Sequence, residues 1–470
     1  MSSDPAERLP SKTAWPDYRA VWRWHFYAGL FCIPFVIILS ITGSFYLFKT
    51  EIEAWEERRF DSLVATGNAV FSPAKRIQAA LEAVPDSRFS SYELSIAPHS
   101  ATRVIVRKGK EAIRVFVHPA TLEVLGKIPE RNRLMRIVKT IHGELMMGPR
   151  GSYLVEMAAS WTIVMILSGL YLWWPRKANG WGGILYPRLC GSSKVFWRDL
   201  HSVPGMWISG MAMILLLSGL PWSNFWGDYF KTVRRMTGTA VARQDWSNRG
   251  ESGDANEGGG EHQEHGNAQR GRRETGWGRG DSRANYDLAD IDRVVPEVEP
   301  LKLAHPVVIN PPTRAGGNWS VRSNSPNRPL RVSLTVNGKT GEIVSREEFK
   351  DRHWLDKVVG YGIAIHEGQL FGLTNQLLGL ATAAGLLLLS ASGIVLWWRR
   401  RDRGVLGAPN RAAIPRLSIG FLAIVLALGI YLPMFGLSVI AVFVLERIVL
   451  SRIPVLREWL GLREPGPQSP

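Results

Sequence analysis

Four histidines stand where apolar runs of the chain begin, and their surroundings repeat. His25 opens "HFYAGLF", His201 opens "HSVPGMW", His142 lies in "TIHGELMMG" and His366 in "AIHEGQLFG". An ionisable side chain at the edge of a membrane is costly, so each of these needs a partner or a task. His25 and His201 are each followed by glycine four positions on (Gly29, Gly205) and again 18 positions on (Gly43, Gly219). His142 and His366 share a different frame, with glycine at +6 (Gly148, Gly372), Ser-Gly starting at +26 (Ser168-Gly169, Ser392-Gly393) and Trp-Trp starting at +31. Agreement at so many offsets reads as a duplicated module: span, external segment, span.

The chemistry open to such a set is metal ligation. Two neutral imidazoles facing each other across a helix bundle suit the two axial positions of a haem iron, and small residues on the same spans let a macrocycle approach. With both axial positions filled, electron transfer is favoured over oxygen chemistry. The spacing therefore predicts two haem sites, one held by His25 and His201 and the other by His142 and His366. The plainer alternative is that each histidine anchors a helix end at the interface. Glu144 and Glu367, beside His142 and His366, read either as hydrogen-bond acceptors for the ligand rings or as exposed interfacial charges. His353, 13 residues before His366, is the substitute ligand if one of the four is misplaced. The sequence singles out no acid, base or nucleophile for catalysis.

Elements that would carry these residues are visible in the hydropathy. Apolar runs at 24–48, 152–174, 202–222 and 374–398 each come close to the roughly 20 residues that cross a bilayer as helix. The region 415–450 is too long for one simple span, and Pro433 divides it into a predicted hairpin, 415–432 and 434–450. The first run follows about 20 polar residues and is too long for a signal-peptide core, so it reads as an uncleaved anchor. Arginine and lysine cluster before the first span (1–23), between the second and third (175–201), after the fourth (Arg399, Arg400, Arg401, Arg403) and in the tail 451–470. The positive-inside rule then places both termini in the cytoplasm, with His25 and His201 near the cytoplasmic face and His142 and His366 near the outer one.

Two long segments face outward. Residues 50–148 predict a helix from Ser72-Pro73 and then alternating strands ("YELSIA", "TRVIVRK", "IRVFVHP"). Residues 223–370 end in similar strands, with "NGKTG" as a hairpin turn. Within the second, ahead of these strands, 238–282 is rich in glycine and charge and reads as a disordered linker without a core. The predicted fold class is an α-helical membrane protein: a duplicated four-helix transmembrane core, a C-terminal helical hairpin and two small external α+β domains.

Composition narrows the function. The chain of 470 residues carries a formal net charge of +16, but its basic residues flank apolar runs, which is membrane topology and not a nucleic-acid footprint. Cys32 and Cys190 fall in a span and in a cytoplasmic loop, so no disulfide is expected, and without Cys-x-x-Cys-His there is no covalent c-type haem. No Walker loop, dinucleotide fingerprint, zinc-protease or serine-hydrolase motif occurs. A metal transporter would need carboxylates in its spans, and Glu156 is the clear one in the four main runs.

The stretches "RWHFYAGLF…SITGSFYLFK", "SGLYLWWPRK", "LHSVPGMW" and "GIAIHEGQLFGLTNQLLGL…SGIVLWWRR" resemble the PepSY-associated transmembrane family over about residues 15–405. The resemblance implies that the external segments are PepSY-like domains. It also implies a bacterial inner-membrane protein of the iron-regulated, ferric-siderophore reductase type carrying two b-type haems. Its partners would be a ferric siderophore and a membrane electron donor such as a quinol, besides the lipid bilayer itself. Electrons would pass the His25/His201 haem, then the His142/His366 haem, and reduce the chelate outside, where Fe(II) binds hard oxygen ligands less tightly. The alternative is a non-enzymatic membrane protein whose PepSY-like domains bind a peptide or a protein partner.

Overall fold

The computed structural model describes residues 18–63, 70–97, 100–176, 180–239, 286–313, 316–409 and 419–462. Most of the predicted linker, from residue 240 on, lies outside the described residues, as do His99, His262 and His265. The chain divides into two compact units, one of Met1–Leu47, Val138–Met236 and Leu373–Pro470, the other of Phe48–Ile137 and Thr237–Gly372.

The first unit is helical. Four of its helices are long and apolar enough to cross a membrane: α1 (Tyr18–Leu47), α5 (Pro149–Trp173), α6 (Ser193–Gly219, extended by a 3-10 turn to Trp222) and α10 (Leu373–Arg400). Their sidedness is that of a membrane bundle. Helix α1 buries Ala28, Cys32, Ser40 and Thr42 and exposes Ile38, Ile41 and Phe45, while α10 buries Thr382, Ala383, Ser390 and Ser392 and exposes Leu377, Leu388 and Ile394. Small and hydroxylated residues let helix backbones approach, and large apolar side chains face the lipid, where they lose nothing. Helix α1 packs on α5 and α10, and α6 packs on the same two, so the four form a closed ring with α1 and α6 on a diagonal.

The helices begin earlier than the hydropathy alone predicts. The runs starting at 24 and 202 belong to helices starting at Tyr18 and Ser193. Arg19, Arg23, Lys194 and Arg198 are helix formers whose long stems can lie along apolar surface, so charge does not end the helix. His25 and His201 consequently sit inside their helices, two turns in, and not at the first turn. The predicted C-terminal hairpin is present as α11 (Ile419–Tyr431) and α12 (Pro433–Ile448), broken at Leu432-Pro433 where proline starts the second helix. It packs through Leu432 and Phe435 against Ile163, Leu220 and Trp226. A short α13 (Pro454–Trp459) follows. Helix α7 (Asn224–Met236) follows α6 and starts on the buried carboxylate of Glu156, which accepts hydrogen bonds from the main-chain N–H of Phe225 (3.0 Å) and Trp226 (3.1 Å). A carboxylate there meets the positive end of the helix dipole, so the one clear acidic residue of the spans is committed as a cap.

The second unit is one antiparallel sheet of eight strands. Strands β1 (Arg88–Glu93), β2 (Thr102–Lys108), β3 (Glu111–Val117) and β4 (Val124–Pro129) form one meander, and β5 (Val307–Asn310), β6 (Trp319–Ser323), β7 (Val332–Val336) and β8 (Ile343–Glu348) another. The order is β4-β3-β2-β1-β5-β6-β7-β8, joined at Tyr92↔Ile309 and Glu93↔Val308. Two small separate domains were expected. Instead the open edges of two short meanders satisfy each other's backbone groups, a standard remedy for exposed sheet edges. The "NGKTG" hairpin turns as predicted, with Gly341 N–H donating to Asn337 O.

Strand alternation sorts the two faces. One face carries Tyr92, Val104, Val106, Val115, Val117, Ile309, Val321 and Leu334 under helices α3 (Pro73–Ala83) and α8 (Ile291–Val298), which pack on each other. On the other face the first meander is charged. Arg103 is 2% exposed and bonds Glu57 (2.7 Å) and Asp61 (2.8 Å) of α2 (Lys49–Asp61), and Arg114 bonds Glu93 and Glu130, each at 2.7 Å. Burial alone would lower the Arg114 pKa, but Glu93 and Glu130 outweigh it and hold the guanidinium above its ordinary value. Burial alone would raise Glu130, but Arg114 and Arg133 outweigh it and hold the carboxyl below its ordinary value. Phe60 stacks on Phe116 at 3.9 Å beside this cluster.

Candidate functional site

The bundle brings His25 of α1 and His201 of α6 together. Their ring centroids are 6.5 Å apart, with planes at 82°. Both side chains are half-buried. Each ring is seated on a neighbouring helix, against a Ser-Gly pair. His25 Nδ1 lies 2.9 Å from Ser168 Oγ, and a side chain on Gly169 would sit 3.1 Å from His25 Cε1. His201 Nδ1 lies 3.1 Å from both Ser392 Oγ and the Leu389 carbonyl, and a Cβ on Gly393 would sit 3.5 Å from its Cε1. A Cβ would press on the ring at Gly169, whereas at Gly393 it would make an ordinary van der Waals contact.

Hydrogen bonding fixes the tautomers. The Leu389 carbonyl can only accept, so His201 Nδ1 carries the proton and donates. Ser168 Oγ donates its own proton to Met165 O (3.1 Å), so it accepts from His25 Nδ1–H. Each neutral ring then keeps its lone pair on Nε2, the state a metal ligand requires.

His142 follows the same rule. It lies on α4 (Leu134–Glu144), in the part of that helix belonging to the first unit. Its Nδ1 is 3.0 Å from Thr42 Oγ1, and Gly43 would place a Cβ 3.3 Å from its Cε1. Thr42 Oγ1 donates to Ile38 O (2.7 Å), so His142 Nδ1–H is again the donor and Nε2 keeps the lone pair. His366 is the last residue of α9 (Trp354–His366), in the second unit, and is half-buried. His353 caps the N-terminus of α9, its Nδ1 accepting from Leu355 N–H at 3.3 Å. Glu144 ends α4, and Glu367 is the C-cap of α9.

The seats were not assigned from sequence. Ser168 and Ser392 entered the sequence reading only as offsets of the repeat and Thr42 not at all, although each immediately precedes a glycine of the repeat and Ser218-Gly219 is a fourth such pair. The signal was a hydroxyl-glycine pair in every span, the combination that can accept a proton from a ring and let that ring lie flat on the helix. Among the described residues, no group of three or more His, Cys, Asp or Glu could hold a metal ion by itself.

Four bilayer-length helices with buried small residues and lipid-sided apolar ones define a membrane protein whose bundle encloses paired imidazoles. The model of the PepSY-associated TM region matches residues 22–400, and the chain belongs to that family. A comparison with curated proteins gave no match.

Proposed function

We propose that this protein is a di-haem oxidoreductase of the bacterial inner membrane that reduces a ferric siderophore on the periplasmic side. The observation that carries the reading is the His25–His201 pair. Two imidazoles could hold one metal ion between them, at metal–nitrogen bonds of about 2 Å. The 6.5 Å between these rings suits that arrangement. Only two protein ligands are required, because a porphyrin supplies the rest of the coordination sphere. His25 and His201 would hold one haem b, and His142 and His366 the other. Two such haems, when bound, supply one-electron transfer between a membrane donor such as a quinol and the ferric chelate.

The chain's own part is orientation. Ser168, Ser392, the Leu389 carbonyl and Thr42 hold the Nδ1 protons, which turns Nε2 of His25, His201 and His142 into the ligating atom and raises its basicity. Apolar surroundings in the bundle favour retention of a macrocycle. The arginines and lysines before the first span, between the second and third and after the fourth support the reading that both termini are cytoplasmic; a reporter fused after Pro470 that works only outside the cytoplasm would reverse the orientation.

The deciding experiment is a pyridine haemochrome assay on purified protein. Two b-type haems per chain support the proposal. A colourless preparation sinks it and favours the alternative, in which PepSY-like external segments bind a peptide or a protein partner.

A further inference from the structure

The family match ends at residue 400, yet the chain continues, and the continuation returns to the His25/His201 end of the bundle. Arg23 of α1 is 8% exposed. Its guanidinium donates to the Pro409 carbonyl (2.8 Å), the Gly461 carbonyl (2.8 Å) and Tyr27 Oη (3.0 Å), and the Tyr27 hydroxyl donates to the Leu460 carbonyl (2.5 Å). The same segment grips α10: Trp397 Nε1 donates to the Leu406 carbonyl (2.8 Å) and Arg400 to the Gly407 carbonyl (2.8 Å). Leu406 N–H closes the loop on the Trp459 carbonyl at 2.8 Å. Arg400 also lies over the rings of Trp22 and Phe26 on α1, at 4.9 and 5.0 Å.

Placement gives this strap a role. Residues two apart on an α-helix point roughly 200° apart, so Arg23 and Tyr27 share the face of α1 opposite His25. One side of α1 presents the histidine, and the other is held by main-chain carbonyls from beyond the family match. The other helix in its grip, α10, carries Ser392 and Gly393, the seat of His201. A buried guanidinium without its acceptors is an uncompensated charge, so α1 cannot turn freely while Arg23 stays inside.

We infer that residues 406–409 and 459–461 form an intramolecular strap that sets the rotation of α1 against α10, and thereby the His25–His201 separation, with Arg23 as the positioning residue. For its spectroscopic readout the inference rests on the haem reading above; its mechanical content does not.

The test has two arms. In the first, Arg23→Gln, Arg23→Lys and a chain ending at Leu450 are purified and their oxidised low-temperature electron paramagnetic resonance spectra compared with the full chain. Arg23→Gln and the truncation are expected to shift and broaden the signal of the His25/His201 haem while leaving the other haem signal and the haem count unchanged. Arg23→Lys restores the signal in part, and Arg23→Gln combined with the truncation moves it no further than either alone. An unshifted signal in Arg23→Gln and in the truncated chain overturns the strap. The second arm needs no haem: H25C and H201C in a C190S background are joined by a short bifunctional thiol reagent. Efficient cross-linking is expected with the strap intact, and a several-fold lower yield with Arg23→Gln; equal yields overturn the inference. Absence of haem from the unaltered protein, with the cross-linking difference present, overturns the haem reading and leaves the strap standing.

Discussion

His25 and His201 meet with their ring planes at 82° although they stand on diagonal helices, α1 and α6, which both pack on α5 and α10. Each ring plane is set by a different neighbour, Ser168 on α5 for one and Ser392 on α10 for the other. Crossed axial imidazoles leave the iron orbitals of π symmetry nearly degenerate. With the proposed haem bound, a strongly anisotropic low-spin resonance is expected, altered by Ala at His25 or at His201. An ordinary rhombic spectrum, as parallel rings give, would show that the observed ring planes are not those of the loaded site.

The glycine seats make a graded prediction. A methyl group at Gly169 would stand 3.1 Å from His25 Cε1, one at Gly43 would stand 3.3 Å from His142 Cε1, and one at Gly393 would stand 3.5 Å from His201 Cε1. Alanine should therefore disturb its ring most at 169, less at 43 and least at 393, where the contact is an ordinary one. Haem content measured on the three purified variants should fall in that order; equal retention in all three would refute close seating of the rings.

The hydroxyls predict a second contrast. Ser168→Ala removes the side-chain acceptor of His25 Nδ1, whereas Ser392→Ala leaves the Leu389 carbonyl at 3.1 Å from His201 Nδ1. Loss of an orienting partner costs a metal site on the order of 10–100-fold in affinity. Haem-dissociation titrations should show that scale of weakening for Ser168→Ala and a smaller one for Ser392→Ala. Similar effects from the two would mean that the carbonyl does not support the ring.

The charged face of the sheet predicts acid sensitivity. Glu130 is held below its ordinary pKa because Arg114 and Arg133 outweigh its burial. A depressed folded-state pKa contributes stability above the unfolded value, and that contribution is lost as pH falls through the folded one. Circular dichroism of the detergent-purified chain should show the sheet weakening below the usual carboxylate range, with a smaller pH dependence in Glu130→Gln. Removing one partner of a buried pair costs about 3–5 kcal/mol, so Arg103→Met should lower the denaturant midpoint of the sheet markedly. An unchanged midpoint would show that the cluster of Arg103, Glu57 and Asp61 is not a structural tie.

Much of this was legible from the chain. Span positions follow from apolar length, because a bilayer accepts little else, and strands such as Thr102–Lys108 follow from alternation. The His25–His201 meeting was signalled by equal glycine offsets in two spans. Less visible was anything depending on which surface meets which. Arg103 looks like a solvated strand residue until α2 lays Glu57 and Asp61 over it. Arg23 reads as a topology signal until Pro409 and Gly461 close on it from almost the other end of the chain. Ser168 read as a spacing marker and Thr42 drew no notice because a hydroxyl's role is set by where its proton goes, here to Ile38 and Met165 carbonyls one turn back.

The joint between β1 and β5 has a consequence for biosynthesis. Tyr92 and Ile309 are hydrogen-bonded neighbours in the sheet but lie more than two hundred residues apart, with α5 and α6 between them in the chain. At translation speeds of about 5–20 residues per second, the first meander waits on the order of ten seconds or more for its partner edge. During that interval β1 is an unpaired edge able to recruit any passing strand. Completion of the sheet is therefore coupled to delivery of α5 and α6 into the bilayer. Membrane insertion becomes part of this protein's folding pathway, and a stalled insertion would leave a half-sheet prone to aggregate.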